Sequence, residues 1–263
     1  MSLNIAITGA TGRMGRRLIA LARESGEFRV VAALVRPDHP KLGIDAGEAI
    51  DQPPLEIPLT SELVVQPDVM IDFSTPGGLA HWVDVCTRHR VSLFTGTTGL
   101  TDVHHARLSE AALEIAVLHA TNTSFGMAVM NRVAADIARF LGDDYDIEIV
   151  EQHHRHKKDA PSGTAATLAA RLVDATGRGD DDLKYGRHGG TDRRVHSSIG
   201  IHSLRMGDVI GSHTVHFAGE GERMELTHVA TNRDTFVRGA LRGAKWLAGK
   251  PAKKYVIEDV LGL

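Results

Sequence analysis

Residues 3–16 read LNIAITGATGRMGR, and this stretch decides the fold of the first half of the chain. A short apolar and β-branched run, residues 3–8, is typical of a strand, and a helical pattern follows from Met14. The turn between them, Gly9 to Gly15, carries glycines spaced G-x-x-G-x-x-G. A glycine turn between a strand and a helix indicates a phosphate site for a dinucleotide. The alternative is a glycine-rich turn that holds no ligand.

The same alternation continues outward from this turn. The predicted strands are residues 28–34, 69–73, 91–95 and 115–119, and the predicted helices are residues 14–23, 78–88 and 102–113. Strands that alternate with helices predict a parallel sheet covered on both faces. We therefore expect an α/β protein whose N-terminal domain is a doubly wound, Rossmann-like parallel sheet.

The second half of the chain has a different pattern. Helical patterns at residues 127–141 and 162–175 flank one strand at 147–151, and residues 196–231 consist mostly of strands joined by glycine-containing turns. Residues 176–194 are polar and predict a mobile surface loop. A last helix spans residues 233–247. This pattern predicts an α+β second domain with a mixed sheet.

The predicted domain boundaries follow from these patterns. Residues 1–124 together with 234–263 form the first domain, and residues 125–233 form the second. The tail at residues 255–263 is expected to return to the first domain.

Composition narrows the class of protein. The 263 residues are 42% hydrophobic and 24% charged, with a formal net charge of −3, which argues against a nucleic-acid partner. The single cysteine, Cys86, cannot form an intrachain disulfide, and it indicates a reducing compartment. The first residues do not resemble a signal peptide, and no apolar stretch is long enough to cross a bilayer. We expect a cytoplasmic protein with no membrane partner.

The end of the second predicted strand bears on cofactor choice. An acidic residue there would hold the ribose of NAD, but Val35 occupies that region and Arg36 follows it. Arg36, and Arg13 from the glycine turn, could both meet the 2′-phosphate of NADPH. Asp38 keeps NADH possible as well. The sequence therefore favours NADPH, or use of both cofactors.

The most informative segment of the second domain is residues 151–164, EQHHRHKKDAPSGT. Ser162 is a predicted helix N-cap, and exposed N–H groups at Gly163 and Thr164 suit a carboxylate or a phosphate. A cationic strand end beside a helix N-terminus predicts a site for a small anionic substrate. A histidine or lysine there can also supply a proton.

Three alternatives compete for this segment. A charge run is commonly a solvated basic loop. A zinc site would use His153, His154 and His156, but neighbouring residues of a strand point to opposite faces, so we expect no metal. An RNA-contacting patch lacks aromatic stacking residues nearby.

The segment EQHHRHKKDAPSGTA closely resembles the signature of the dihydrodipicolinate reductases, now named for 4-hydroxy-tetrahydrodipicolinate. The resemblance extends over nearly the whole chain. It includes, in order, GATGRMGR at 9–16, DFSTP at 72–76, GTTG at 96–99, ATNTSFG at 120–126, GDVIGSHT at 207–214, ERMELTH at 222–228 and the closing DVLGL. One such match is weak evidence, whereas the ordered set is specific.

The resemblance implies a dinucleotide-binding domain and a substrate domain whose sheet builds a homotetramer. It implies reduction of a cyclic, unsaturated dicarboxylic imine by NADH or NADPH in lysine and diaminopimelate biosynthesis. His153 and Lys157 would be catalytic, with Lys157 as the proton donor and His153 moving a proton or orienting the substrate. His154, Gly163 and Thr164 would hold the substrate carboxylates. The implied cofactor residues are Gly9, Ala10, Thr11, Gly12, Arg13, Met14, Gly96, Thr97, Thr98, Ala120, Thr121, Asn122 and Thr123. Arg36 is a further predicted cofactor residue because it follows the second predicted strand.

Two positions depart from the family pattern. Many relatives carry an acid at the position of Val35, and an aromatic residue is common at the position of Thr123. Three other hypotheses about the function stay open. The chain could be a different two-domain reductase such as an amino-acid dehydrogenase, a non-catalytic NADP sensor, or a relative that acts on another small keto or imino acid.

Overall fold

The computed structural model describes residues 2–190 and 193–263. The chain divides into two compact units. The first unit runs to Thr123 and includes Asp234–Leu263, and the second unit is Ser124–Arg233.

The first unit is built on a seven-stranded sheet whose named strands pair in parallel, in the order β12-β6-β5-β4-β1-β2-β3. The buried apolar runs of the sequence form its central strands, as expected for a sheet covered on both faces. The strands are β1 (Leu3–Thr8), β2 (Phe28–Leu34), β3 (Leu59–Thr60), β4 (Val69–Asp72), β5 (Ser92–Thr95), β6 (Ala116–His119) and β12 (Lys253–Tyr255). Because these strands are parallel, their carboxyl ends lie along one edge of the sheet.

Four helices belong to this unit: α1 (Arg13–Ser25), α2 (Pro76–His89), α3 (Asp102–Ala111) and α6 (Asp234–Leu247). Local chemistry sets their ends. Thr75 caps α2, where its Oγ1 accepts a hydrogen bond from Gly78 N at 3.2 Å, and Pro76 stands in the first turn. Gly26 ends α1 in the left-handed conformation that glycine tolerates.

The second unit is built on a mixed five-stranded sheet in the order β11-β10-β7-β9-β8. Its strands are β7 (Asp146–His153), β8 (Leu183–Tyr185), β9 (Ile199–Arg205), β10 (Gly211–Gly219) and β11 (Glu222–Ala230). The central strand β7 pairs antiparallel with β10 and parallel with β9. Alternate residues of β7 are buried, so one face of the strand looks into the core. Helices α4 (Phe125–Leu141) and α5 (Gly163–Thr176) contribute to that core.

Short 3₁₀ helices complete the chain at Glu48–Ile50, Gly142–Asp144, Asp180–Asp182 and Ile257–Leu261. Within the described ranges, no helix is both long enough and apolar enough to cross a membrane.

The predicted fold class is confirmed, a Rossmann-like parallel sheet plus a mixed-sheet unit. The tail also returns to the first unit, because β12 pairs with β6. Helices and strands lie within a few residues of their predicted bounds, but the short edge strands β3, β8 and β12 were not predicted. A strand of two or three residues has too little alternation to be recognised from sequence.

The predicted loop at residues 176–194 is wrong in part: residues 177–179 and 186–190 lie outside helices and strands, but other residues are ordered by contacts. Leu183–Tyr185 forms β8 and pairs in parallel with β9. Arg187 and Arg194 are both held by Glu148, at 2.9 Å and 3.1 Å. The polar composition concealed these contacts because each partner lies far away in sequence. Thr191 and Asp192, also in the predicted loop, lie outside the described residues.

Gly243 tests the packing of α6 on the sheet. A Cβ at this position would meet the Phe94 ring of β5 at 2.5 Å. For Gly243→Ala we expect overpacking to outweigh the gain in helix propensity, with a net loss of roughly 1–2 kcal/mol in the free energy of unfolding. Urea denaturation followed by circular dichroism measures this loss.

Gly77→Ala is the matched control, because Gly77 also lies in a helix of this unit and a Cβ there meets nothing within 4 Å. An unfolding midpoint for Gly243→Ala at or above that of Gly77→Ala would contradict the packing argument.

Candidate active site

The glycine turn after β1 has a shape that glycine alone permits. Gly9 has a φ of +64°, and a Cβ there would meet the carbonyl oxygen of Phe73 at 2.5 Å. A Cβ on Gly15 would lie 2.7 Å from the Cα of Ala10. The first turn of α1 therefore lies directly against the loop, as a dinucleotide-binding turn requires.

The N-terminus of α1 has no side-chain cap. Its N-cap is Gly12, which has no side chain, whereas α2, α4 and α5 are capped by serine or threonine hydroxyls. The N–H of Gly12 bonds to Gly9 O at 2.9 Å, and that of Ala10 bonds to Leu34 O at 3.2 Å. Since the N–H groups of a first helical turn have no partner within the helix, this end of α1 suits an anion.

A cavity of about 690 Å³ opens beside this turn at the carboxyl edge of the sheet. That volume suits a cofactor-sized ligand. The predicted residues that line it are Gly9, Thr11, Gly12 and Arg36. Residues of the β4–α2 connection and of α2 line it too, among them Phe73, Ser74, Thr75, Gly78, His81 and Trp82. The glycine turn, the uncapped helix and this cavity together fit a nicotinamide dinucleotide.

The other predicted cofactor residues of the glycine turn and the β5 end lie near the same edge. Arg13 and Met14 stand in the first turn of α1, and Ala10 is fully buried. Gly96 and Thr97 are buried just after β5, and Thr98 is exposed.

The predicted cofactor residues after β6 lie further along the carboxyl edge of the sheet. Ala120 is tied to β5 by a bond from its N–H to Thr95 O at 3.0 Å, and Thr121 and Asn122 follow it. Thr123 is 3% exposed and donates its hydroxyl to Phe236 O at 2.6 Å. Its side chain thus secures α6.

The β2 end places three further groups at the cavity. Val35 is buried, whereas Arg36 is exposed and paired with Asp38 at 2.8 Å. His39, for which the sequence predicted no role, lies between two segments of the unit. Its Nε2 is 3.0 Å from Thr11 Oγ1, and its Nδ1 accepts the N–H of Lys41 at 3.2 Å. His39 therefore fixes the post-β2 loop to the glycine turn.

In the second unit, strand alternation brings Glu151 and His153 to the same buried face at the end of β7. Their side chains meet, with His153 Nδ1 at 2.5 Å from Glu151 Oε2. From the sequence His153 was a predicted catalytic residue, whereas no role was predicted for Glu151.

Glu151 is fully buried and completely paired. Arg205, at the end of β9, donates hydrogen bonds to both carboxylate oxygens of Glu151, at 2.8 Å and 2.7 Å. Ser162 N donates to Oε1 at 3.0 Å. Burial by itself would raise the pKa of Glu151, but these hydrogen bonds, with those from His153 and Ser203, lower it to about 2. The group is therefore a permanent carboxylate at neutral pH.

That carboxylate sets the state of His153. Burial lowers the pKa of His153, and the hydrogen bond with Glu151 raises it only in part. The ring is therefore neutral at pH 7. Because Nδ1 faces a carboxylate, its proton sits on Nδ1, and Nε2 keeps a lone pair that can accept a proton.

His213 of β10 is a second histidine at this site that sequence reasoning missed. Its ring lies edge-on to His153 with centroids 5.3 Å apart, and its Nε2 is 3.3 Å from Ser162 Oγ. Burial, then the neighbouring His153, lowers the pKa of His213 to about 4. Because the His213 ring is neutral at pH 7, it places no positive charge beside His153.

The N-terminus of α5 forms the polar rim of the site. Ser162 caps the helix as predicted, accepting the N–H of Ala165 at 3.1 Å. A Cβ on Gly163 would meet nothing within 4 Å, so the space above this helix end is open. The predicted Thr164 follows it in the same first turn.

Lys157 and His154 lie in the turn between β7 and α5. Lys157 Nζ is 2.9 Å from Asp159 Oδ1, and its side chain is only 22% exposed. The N–H of Lys157 bonds to His154 O at 3.0 Å. His154 Nδ1 is buried without a hydrogen-bond partner among the described residues.

Across residues 2–190 and 193–263, no group of three or more His, Cys, Asp or Glu side chains is arranged to hold a metal ion. His154 and His156 face each other with ring centroids 6.3 Å apart.

A glycine turn beside a cofactor-sized cavity in one unit, and an anion rim with a neutral histidine in the other, define the chain as a Rossmann-type oxidoreductase. Residues 3–123 match the family model described as dihydrodipicolinate reductase, N-terminus, and residues 126–261 match that described as dihydrodipicolinate reductase, C-terminus. The chain belongs to the dihydrodipicolinate reductase family.

Individual relatives agree with this assignment. A 4-hydroxy-tetrahydrodipicolinate reductase of Myxococcus xanthus is 45% identical over 99% of this chain and 98% of its own length. One from Acinetobacter baumannii (strain AYE) is 44% identical over 98% of this chain and 96% of its own length. The structure of a dipicolinate-bound dihydrodipicolinate reductase from Paenisporosarcina sp. TG-14 aligns with a TM-score of 0.79 and 26% identity, covering 98% of this chain and 99% of that one.

The pH dependence of stability tests the two buried acid–base groups. The His213 pKa of about 4 is below its ordinary 6.5, so the unfolded chain binds the proton more readily, and stability falls as the pH drops from 6.5 towards 4. The Glu151 pKa of about 2 is below its ordinary 4.5, so its contribution is lost between pH 4.5 and 2. We expect His213→Gln to make the decline shallower in the upper window alone, because His119, His153 and His228, whose pKa values are also lowered, keep contributing to it.

Urea unfolding midpoints measured from pH 7.5 to 2 give both windows, and the exposed His188→Gln is the matched control. If His213→Gln declines as steeply as His188→Gln between pH 6.5 and 4, the assignment to His213 is wrong.

Proposed function

We propose that this chain reduces 4-hydroxy-tetrahydrodipicolinate to tetrahydrodipicolinate with NAD(P)H, in lysine and diaminopimelate biosynthesis. The observation that supports it best is the end of β7, where the family's His-Lys and Ser-Gly-Thr segments surround an open helix N-terminus. The reaction consumes one hydride and one proton and releases the 4-hydroxyl group as water. NAD(P)H, when bound, supplies the hydride.

The substrate carries two carboxylates, and the rim of α5 suits one of them. The first-turn N–H groups of Gly163 and Thr164 point out of the helix, and the helix dipole favours negative charge there. His154, in the adjoining turn, supplies a further polar contact. Fixed groups that hold the carboxylates orient the substrate ring for attack by the hydride. Such orientation can lower the activation free energy of a reaction by several kcal/mol.

Lys157 is the proposed proton donor to the substrate. It is the partly buried cation of the β7–α5 turn, and Asp159 keeps its Nζ in place at 2.9 Å. A lysine offers three N–H donors, so it can hydrogen-bond the substrate and give up a proton to the electron-rich centre left by hydride addition. His153, neutral with a free Nε2, accepts a proton or orients the substrate.

Glu151 and Arg205 act as positioning residues for His153. The carboxylate holds the Nδ1–H tautomer, and Arg205 holds the carboxylate with two hydrogen bonds while donating to Asp159 O at 2.6 Å. One arginine thus steadies both the histidine and the turn that carries Lys157.

For the cofactor, we propose the glycine turn, the first turn of α1 and the connections after β5 and β6 as the binding surface. NADPH is favoured because Arg36 and His39 line the cavity at the β2 end, where Val35 offers no carboxylate to a ribose.

We also propose a cytoplasmic homotetramer. The face of the five-stranded sheet opposite the α5 core carries Leu204 and Val229, which are 43% and 56% exposed. Apolar side chains on an open sheet face are typical of an interface. Light scattering of the purified chain tests the tetramer.

Lys157→Ala tests the proton donor. We expect kcat to fall by about 100-fold or more, because a positioned general acid contributes at least that much. The substrate is made in place by a synthase from pyruvate and aspartate semialdehyde, and NADPH oxidation is followed by absorbance.

Lys158→Ala is the matched control, because Lys158 is the adjacent, exposed lysine and we expect it to keep the wild-type rate. Equal rates for the two variants would remove Lys157 from the mechanism. A folded wild-type protein that binds NADPH but oxidises none would move the proposal to another substrate or to a sensor.

Arg36→Ala tests cofactor choice. We expect the KM for NADPH to rise about tenfold or more through loss of a charged hydrogen bond, with the KM for NADH nearly unchanged. Arg88→Ala, an exposed arginine of α2 outside the cavity, is the control. If both KM values of Arg36→Ala stay at wild type, Arg36 does not read the 2′-phosphate.

A further inference from the structure

Asp72, the last residue of β4, is a fully buried carboxylate that the mechanism above does not use. Four side-chain hydroxyls point at it. Thr8 and Ser74 donate to Oδ1 at 2.5 Å and 2.6 Å, and Thr95 and Thr97 donate to Oδ2 at 2.8 Å and 2.6 Å. We call this group the hydroxyl cage.

Hydroxyl donors, and no cation, compensate this charge. Within residues 2–190 and 193–263, Asp72 forms no ion pair with a lysine, an arginine or a histidine. Burying a carboxylate without a cation beside it costs free energy unless hydrogen bonds compensate its charge. Hydrogen bonds to an ionised group are about twice as strong as those between neutral groups. Each hydroxyl is therefore held firmly, and so is the backbone that carries it.

The cage joins the glycine turn and the β4–α2 connection, which line the cavity, to the connection after β5, which carries further proposed cofactor residues. Thr8 immediately precedes the glycine turn, Ser74 belongs to the β4–α2 connection, and Thr97 belongs to the β5–α3 connection. Close backbone contacts reinforce these links. Gly9 leaves no room for a Cβ against Phe73 O, and Gly96 leaves none against the Phe73 ring.

We propose that Asp72 is a positioning residue that sets the cofactor site by locking these three loops to one another. It acts on cofactor affinity through loop geometry and does not touch the reacting atoms. The hydroxyl of Thr97 is bound to Asp72, so the start of the β5–α3 connection is held at the end of β4. The proposal rests on the proposed cofactor site of the first unit.

The test measures NADPH binding, apart from catalysis. We expect Asp72→Asn to raise the Kd of NADPH by about tenfold, because the amide keeps one acceptor oxygen and turns two of the hydroxyl contacts into weaker ones. Thr95→Val removes a single cage hydroxyl with little change in shape, and we expect a smaller rise of about threefold. Isothermal titration calorimetry gives both values.

Thr87→Val is the matched control. Its hydroxyl bonds to Val83 O at 2.9 Å inside α2, away from the cage, and we expect its Kd to equal that of wild type. Hydrogen exchange at residues 96–99 should speed up in Thr95→Val and not in Thr87→Val. At saturating NADPH the kcat of Thr95→Val should stay near wild type, while its KM for NADPH rises.

A stabilising role without positioning gives a different result. Thr95→Val would then melt at a lower temperature but bind NADPH with the wild-type Kd, and this outcome overturns the proposal. If Asp72→Asn does not fold, Thr95→Val and Thr8→Val still decide the matter. Failure of the wild-type protein to bind NADPH would overturn the cofactor site itself, which separates the two failures.

Discussion

The buried carboxylate of Glu151 makes the interactions on which the second unit of the molecule depends. It has no contact with water, yet it meets a guanidinium, an imidazole and a backbone N–H at once. These contacts join the ends of β7 and β9 to the start of α5. Since a buried charge is tolerated only when it is fully hydrogen-bonded, the three elements must keep their relative positions.

Each unit contains a buried carboxylate, and the two units compensate its charge in different ways. In the second unit, Arg205 balances the charge of Glu151 and also reaches Asp159 O in the turn of Lys157. In the first unit, Asp72 collects hydroxyls from β1, β5 and two connections. Arg205 balances the negative charge of Glu151, and burial keeps the neighbouring His153 neutral. The ring of hydroxyls around Asp72 holds its neighbouring loops in place without adding a cation.

Local signals in the sequence predicted a large part of this arrangement. The apolar runs gave the main strands, and the glycine spacing marked the tight turn that Gly9 and Gly15 now form. Ser162 was recognised as the cap of α5 because capping depends on residues three positions apart. The family signature brought His153 and Lys157 into the site. The assigned roles of these residues stay proposals.

The remainder depends on contacts between residues far apart in the chain. Strand β8 pairs with β9 through a register that composition does not reveal, and Arg205 meets Glu151 across 54 positions. His213 reaches Ser162 across 51 positions and Asp72 reaches Thr8 across 64. By itself the sequence determined the fold class, the glycine turn and the chemistry-bearing segment, because periodicity, caps and motifs are local. Only the tertiary structure decided which buried acids meet which donors, and so which histidines stay neutral, because hydrogen bonding and burial arise when distant strands are brought together.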